Sequence, residues 1–190
     1  MRQLIAGLSW CMVLVYPFIV LFGLQLLPLR LLGLLLVVLA GLRIFLLRSH
    51  GGKSGLPLLL STLLLLIAMH AMLANDAAWL RFYPVAVNVV LLVMFGVSLR
   101  WGPPVIERLA RVSEPDLTAA GVTYTRKVTI AWCLFFIVNG LIAWYTAVFA
   151  SFDSWALYNG AIAYGLIGAM FGIEWLIRRK VKQVAHAHPK

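Results

Sequence analysis

VTIAWCLFFIVNGLIAWYTAVF (Val128–Phe149), ASFDS (Ala150–Ser154), WALYNGAIAYGLIGAMFGIEWLI (Trp155–Ile177) and RRKVK (Arg178–Lys182) follow one another at the end of the chain. Each apolar run is long enough to cross a hydrocarbon layer of about 30 Å, which takes about 20 helical residues. The short polar break between them reads as a turn, and the basic block behind the second run reads as a cytoplasmic stop. This stretch predicts a transmembrane hairpin.

The rest of the chain has the same character. Hydrophobic residues make up 63% of it and charged residues 12%, against about 25% charged in a soluble domain. Such a chain has too much apolar surface for one water-soluble core. Six spans are predicted: Leu4–Leu27, Leu31–Leu47, Leu56–Ala74, Tyr83–Leu99, Val128–Phe149 and Trp155–Ile177. The connections are short except for Arg100–Lys127. The expected fold is an all-α polytopic membrane bundle of about six helices, one domain over residues 1–182, with 183–190 as a short cytoplasmic tail.

Orientation follows from Lys and Arg. With the N-terminus inside, only Arg30 and Arg81 of the 16 basic residues fall on the outer side. Both termini are therefore expected in the cytoplasm. The same distribution accounts for the formal charge of +10, because basic residues at helix ends meet anionic headgroups. No basic patch with interleaved aromatics points to nucleic acid. The N-terminal apolar stretch is about twice an ordinary signal h-region and lacks an A-x-A site, so it reads as a retained first helix. Cys11 and Cys133 lie inside spans and suggest neither a disulfide nor a metal pair. No metal or cofactor is expected.

Within Arg100–Lys127, Pro103-Pro104 can open a helix. Val105, Leu109 and Val112 then share a face with Ile106 beside them, while Glu107, Arg108 and Arg111 lie elsewhere. That is the pattern of a short amphipathic interfacial helix, ended by the turn Ser113-Glu-Pro-Asp116. This segment is expected to be a simple interfacial linker, the alternative being a docking site for other envelope-biogenesis proteins; membrane lipids are the remaining partners.

Polar residues inside spans are costly and face the bundle interior or a wet cavity. They are His70, Asn88, Thr129, Asn139, Asn159, Tyr164 and Glu174. His70 has no partner at metal spacing and reads as structural. Glu174 and Arg178 have the i,i+4 spacing of a local ion pair. Asn139 and Asn159 each precede glycine within an apolar run, so their amides are expected to hydrogen-bond between helices. Ala161, Gly165, Gly168 and Gly172 form a small-residue stripe of the kind that lets helices approach closely, with packing inside the bundle expected.

Arg81, Tyr83 and Asn88 open the fourth span, while Asp153, Trp155 and Asn159 surround the last turn. If these helices are neighbours, the six residues converge with Asn139 and Tyr164 on a polar pocket. Arg81 would there meet an anionic headgroup or Asp153. The alternative is that Arg81 and the aromatics only anchor helix ends.

Tyr83-Pro84, Asn88, Phe95, Ser98-Leu99, Pro104, Glu107-Arg108, Glu114-Pro115, Tyr124-Thr-Arg126, Thr129, Trp132, Phe135-Phe136, Asn139, Trp155, Tyr158-Asn-Gly160 and Glu174 together carry a resemblance. Over roughly the second half, the chain resembles a family of small bacterial inner-membrane proteins. Some members of that family are encoded beside fatty-acid-like and aryl-polyene lipid biosynthesis genes. More distantly, Ser98-Leu99, Gly102-Pro-Pro-Val-Ile-Glu-Arg108, Trp132, Phe135-Phe136, Asn139 and Trp155 are similar in order to the intracellular septation protein A family. The chain departs from that family at Leu157-Tyr-Asn-Gly160. The resemblance implies a non-enzymatic role in cell-envelope or lipid biogenesis, and neither family supplies a catalytic residue. A lipid transporter or flippase, with the asparagines lining its path, is the alternative. A membrane acyl- or glycosyltransferase would want paired acidic or His/Asp groups, and the outer connections offer only Asp76 and Asp153.

Overall fold

The computed structural model of the protein describes residues 16–49 and 55–187, with side chains over 16–48 and 55–179. Apolar helix α1 is described over Tyr16–Leu26. It is followed by α2 (Leu29–Ser49), α3 (Gly55–Ala74), a 3-10 helix (Ala77–Phe82), α4 (Tyr83–Arg100), α5 (Val105–Ser113), α6 (Ala119–Phe149), α7 (Phe152–Leu157), a π turn (Tyr158–Ile162) and α8 (Ala163–Ala187). There is no strand among the described residues. This is the menu a bilayer permits, because a helix satisfies its backbone groups within one segment. Five helical segments are long and apolar enough to cross a membrane: Leu29–Arg48, Gly55–Ala74, Ala77–Arg100, Ala119–Phe149 and Phe152–Arg179. The chain is a polytopic helical membrane protein. Residues 4–15 of the first expected span, Cys11 among them, lie outside the described residues.

Two clusters hold the bundle. In one, Leu32, Leu36 and Ala40 of α2 meet Leu64, Ala68 and Ala71 of α3, and the cluster continues through Tyr16, Leu80, Tyr83 and Trp155. In the other, Phe95 of α4 packs with Trp132 and Phe136 of α6. Large apolar side chains such as Leu34, Leu73, Val93 and Leu141 point outward, which is costly in water but not in lipid, where tails are as apolar as leucine.

Local chemistry sets the ends of the elements. The Asp76 carboxylate accepts the Ala78 N–H at 2.9 Å and starts the 3-10 turn. Pro84 occupies the first turn of α4, where its missing N–H costs nothing. Thr118 Oγ1 accepts the Gly121 N–H at 3.2 Å, and this cap begins α6 at Ala119, nine residues before the expected Val128. Those nine residues are too polar to register as a span, but a capped helix continues through them regardless of hydropathy.

The amphipathic helix is present as α5. Val105 and Ile106 pack on the second cluster, Leu109 and Val112 are exposed, and Arg111 pairs with Glu107 at 2.8 Å. Helix α8 runs to Ala187. Two expectations need correction. No ion pair joins Glu174 to Arg178 among the described residues. Instead the Glu174 carbonyl accepts the Tyr124 hydroxyl at 3.2 Å, tying α8 to α6. Finally, the stripe on α8 is not internal: Ala161, Gly165, Gly168 and Gly172 are exposed, and a Cβ at any of the three glycines would meet nothing within 4 Å. Close approaches occur at other glycines: a Cβ at Gly33 would lie 2.2 Å from the Met72 side chain, one at Gly140 3.2 Å from Asn88 Cβ, and one at Gly160 2.6 Å from the Phe18 ring.

Candidate functional site

Arg81 sits in the 3-10 turn with 8% of its surface exposed. Its Nη2 donates to the carbonyls of Thr146 and Ala150. These belong to the end of α6, where the helix dipole is negative; the Ala150 carbonyl lies just past the last helical residue, and the Thr146 carbonyl also accepts the Ala150 N–H at 3.3 Å. The guanidinium lies over the Phe152 ring, 4.8 Å from its centroid, and Trp155 Nε1 donates to the Arg81 carbonyl at 3.0 Å. The 3-10 turn, the end of α6 and α7 are thus locked around one cation. Asp153 is exposed, and among the described residues it forms no ion pair with Arg81.

The helices surround a partly open cavity of about 320 Å³. Tyr16 and Pro17 of α1 and Leu60 of α3 line it. So do Tyr83, Asn88 and Leu91 of α4 and Phe135, Phe136 and Asn139 of α6. Asn159 of the π turn and Ala163, Tyr164, Ile167 and Phe171 of α8 complete the lining. Of the eight residues expected at a polar pocket, Tyr83, Asn88, Asn139, Asn159 and Tyr164 line this one cavity, whereas Arg81, Asp153 and Trp155 do not.

The asparagines form the frame of the cavity. Asn139 Nδ2 donates to Asn88 Oδ1 at 3.0 Å, and Asn88 Nδ2 donates to the Pro84 carbonyl at 2.9 Å. The Tyr158 hydroxyl donates to Asn139 Oδ1 at 2.9 Å. Asn159 Nδ2 donates to Thr146 Oγ1 at 3.2 Å and to the Trp155 carbonyl at 2.9 Å. A π turn is wider than an α turn and recurs at functional sites. Here Tyr158 and Asn159, adjacent in sequence, both reach α6. Gly140 gives Asn88 the room to sit against the α6 backbone.

Asn139→Leu is therefore expected to strand both Asn88 Oδ1 and the Tyr158 hydroxyl, costing about 1–3 kcal/mol. The double variant Asn88→Leu/Asn139→Leu should cost less than the sum of the singles, because partners in one network are not additive. Thermal unfolding of the four proteins in detergent reads this coupling directly.

Helix α8 makes little close backbone contact beyond the π turn it continues. Side chains hold it in place: the Phe171 and Trp132 rings are 4.8 Å apart, and Tyr124 reaches Glu174. The cavity occupies the space so created. Tyr16, Ile167 and Phe171 were missed by sequence reasoning because an aromatic or aliphatic residue that lines a cavity reads the same as one that faces lipid.

His70 is exposed and stands edge-on to Trp79, with centroids 4.4 Å apart. No group of three or more His, Cys, Asp or Glu side chains that could hold a metal occurs among the described residues. Chemically the site offers apolar walls and a few hydrogen-bonding groups, the attributes of a binding pocket. No protein-family model matches this chain, and no curated protein and no solved structure does.

Proposed function

We propose that this is a non-enzymatic integral protein of a bacterial inner membrane that assists cell-envelope or lipid biogenesis by holding a lipid within the bundle. The observation that carries this reading is the 320 Å³ cavity, apolar over most of its wall and fixed by three asparagines whose burial in lipid would otherwise be a pure cost. The resemblance of the second half to membrane proteins encoded beside lipid biosynthesis genes supports the same role.

Lipid retained through purification tests it. Native mass spectrometry of the detergent-solubilised protein should show bound lipid. Ala163→Phe, which fills the cavity from the start of α8, should lose that lipid while the protein stays folded. Equal retention by both proteins would remove the basis for the reading.

The 14-to-2 division of basic residues, with only Arg30 and Arg81 on the minor side, supports cytoplasmic termini. It also supports a cytoplasmic position for α5, where its exposed Leu109 and Val112 can enter the membrane interface and its polar face can receive partner proteins. A reporter fused after Lys190 should be active inside the cell; activity confined to the outside would reverse the topology.

Transport is the second reading, favoured by the light backbone packing of α8, a wall able to move without breaking a close helix interface. Lipid translocation in proteoliposomes carrying the protein, absent from those carrying Ala163→Phe, would select it over static binding.

A further inference from the structure

The cavity has two unlike ends. Tyr83, Asn88 and Asn159 line one. Leu91, Ile167 and Phe171 line the other, and at 1.5 Å per residue the path along the last helix from Asn159 to Phe171 is about 18 Å. The volume, about 320 Å³, is at the lower end of the range of about 300–1,000 Å³ for small-molecule sites, which suits one acyl chain better than two.

Hydrogen-bonding capacity at the polar end is uneven. The amide nitrogens of Asn88, Asn139 and Asn159 already donate to protein oxygens. The Tyr83 hydroxyl differs: the residue is 2% exposed, and its oxygen has no hydrogen-bond partner among the described residues. A buried hydroxyl left unpaired is unfavourable, and an acceptor brought to it relieves that cost. The charge nearby has one sign. Arg43, 7% exposed, lies within electrostatic range of Tyr83. No carboxylate lines the cavity.

We infer that the ligand is a single-chain fatty carboxylate, its head accepting the Tyr83 hydroxyl and its tail lying between α8 and the α4–α6 pair as far as Phe171. This rests on the proposed lipid-holding role and names the lipid class.

The test uses the full chain in detergent and quenching of tryptophan fluorescence by a brominated long-chain fatty acid, with Trp132 against Phe171 as the reporter. The competitors are the unlabelled acid, the trimethylammonium analogue of the same chain and a two-chain phosphatidylglycerol. The acid is expected to bind and to be displaced by unlabelled acid at one per chain. The other two compounds should compete at least about tenfold more weakly. In Tyr83→Phe, acid affinity should fall about tenfold, the loss of one hydrogen bond of about 1.4 kcal/mol, while the unliganded variant melts no lower than the parent. If no acyl compound binds, or Ala163→Phe binds the acid as well as the parent, the lipid-holding role falls and the inference with it. If the cationic or two-chain compound competes as well as the acid, or Tyr83→Phe leaves acid affinity unchanged, the cavity stands as a lipid site and the carboxylate assignment is overturned.

Discussion

Arg81→Ala is expected to be among the most destabilising single substitutions in the described part of the chain. Its guanidinium donates to the Thr146 and Ala150 carbonyls, and hydrogen bonds from a charged group contribute about 1.5–3 kcal/mol each. Alanine would remove the charged donor from both carbonyls, leaving the Thr146 carbonyl only the Ala150 N–H at 3.3 Å, and would take the cation from the Phe152 ring, so a loss of about 3 kcal/mol follows. Arg81→Lys should recover only part of this, because a compact ammonium cannot reproduce the planar fork that reaches two carbonyls. Arg30→Ala, at an exposed position, is the control. Thermal unfolding in detergent decides: an Arg81→Ala protein within about 0.5 kcal/mol of the parent, the range of an ordinary surface change, would mean that the clamp contributes nothing.

Gly140→Leu should open the contact between α4 and α6. Even a Cβ at this position would lie 3.2 Å from Asn88 Cβ, an atom next to the backbone that cannot rotate away. The helices must separate, at about 1–3 kcal/mol for the overpacking, and the Asn139–Asn88 hydrogen bond at 3.0 Å goes with them. Gly168→Leu, with open space around its Cβ, should leave the unfolding temperature of the monomer unchanged. If Gly168→Leu proved the more damaging of the two, α8 would pack through its glycine face after all, and the wall of the cavity would be a different surface.

These two predictions mark where sequence reasoning succeeds and where it stops. The Asn139-Gly140 pair stood out because a polar residue and a glycine are both conspicuous in an apolar run. The direction in which the amide bonds was also inferable, since lipid offers it no alternative partner. The importance of Gly140 over Gly165, Gly168 and Gly172 was not inferable. A run of small residues at helical spacing shows that one face of a helix is smooth, and says nothing about which helix, or whether any, lies against it. Arg81 shows the same limit. As a cation near the start of a span it reads as a headgroup contact, and its true partners are backbone carbonyls 65 and 69 residues away, invisible to side-chain patterns because every residue has one.

Helical class, the number and placing of the later spans and the amphipathic character of α5 were all legible from local pattern. In a bilayer each spanning segment must satisfy its own backbone, so length and hydropathy within one segment are enough to define it. The beginning of α6 at Ala119, the π turn that aims both Tyr158 and Asn159 at α6, the outward glycine face of α8 and the formation of a cavity by six separate elements came only from assembly. Each depends on how far apart two helices stand, a distance set by the side chains of both at once and by neither sequence segment alone.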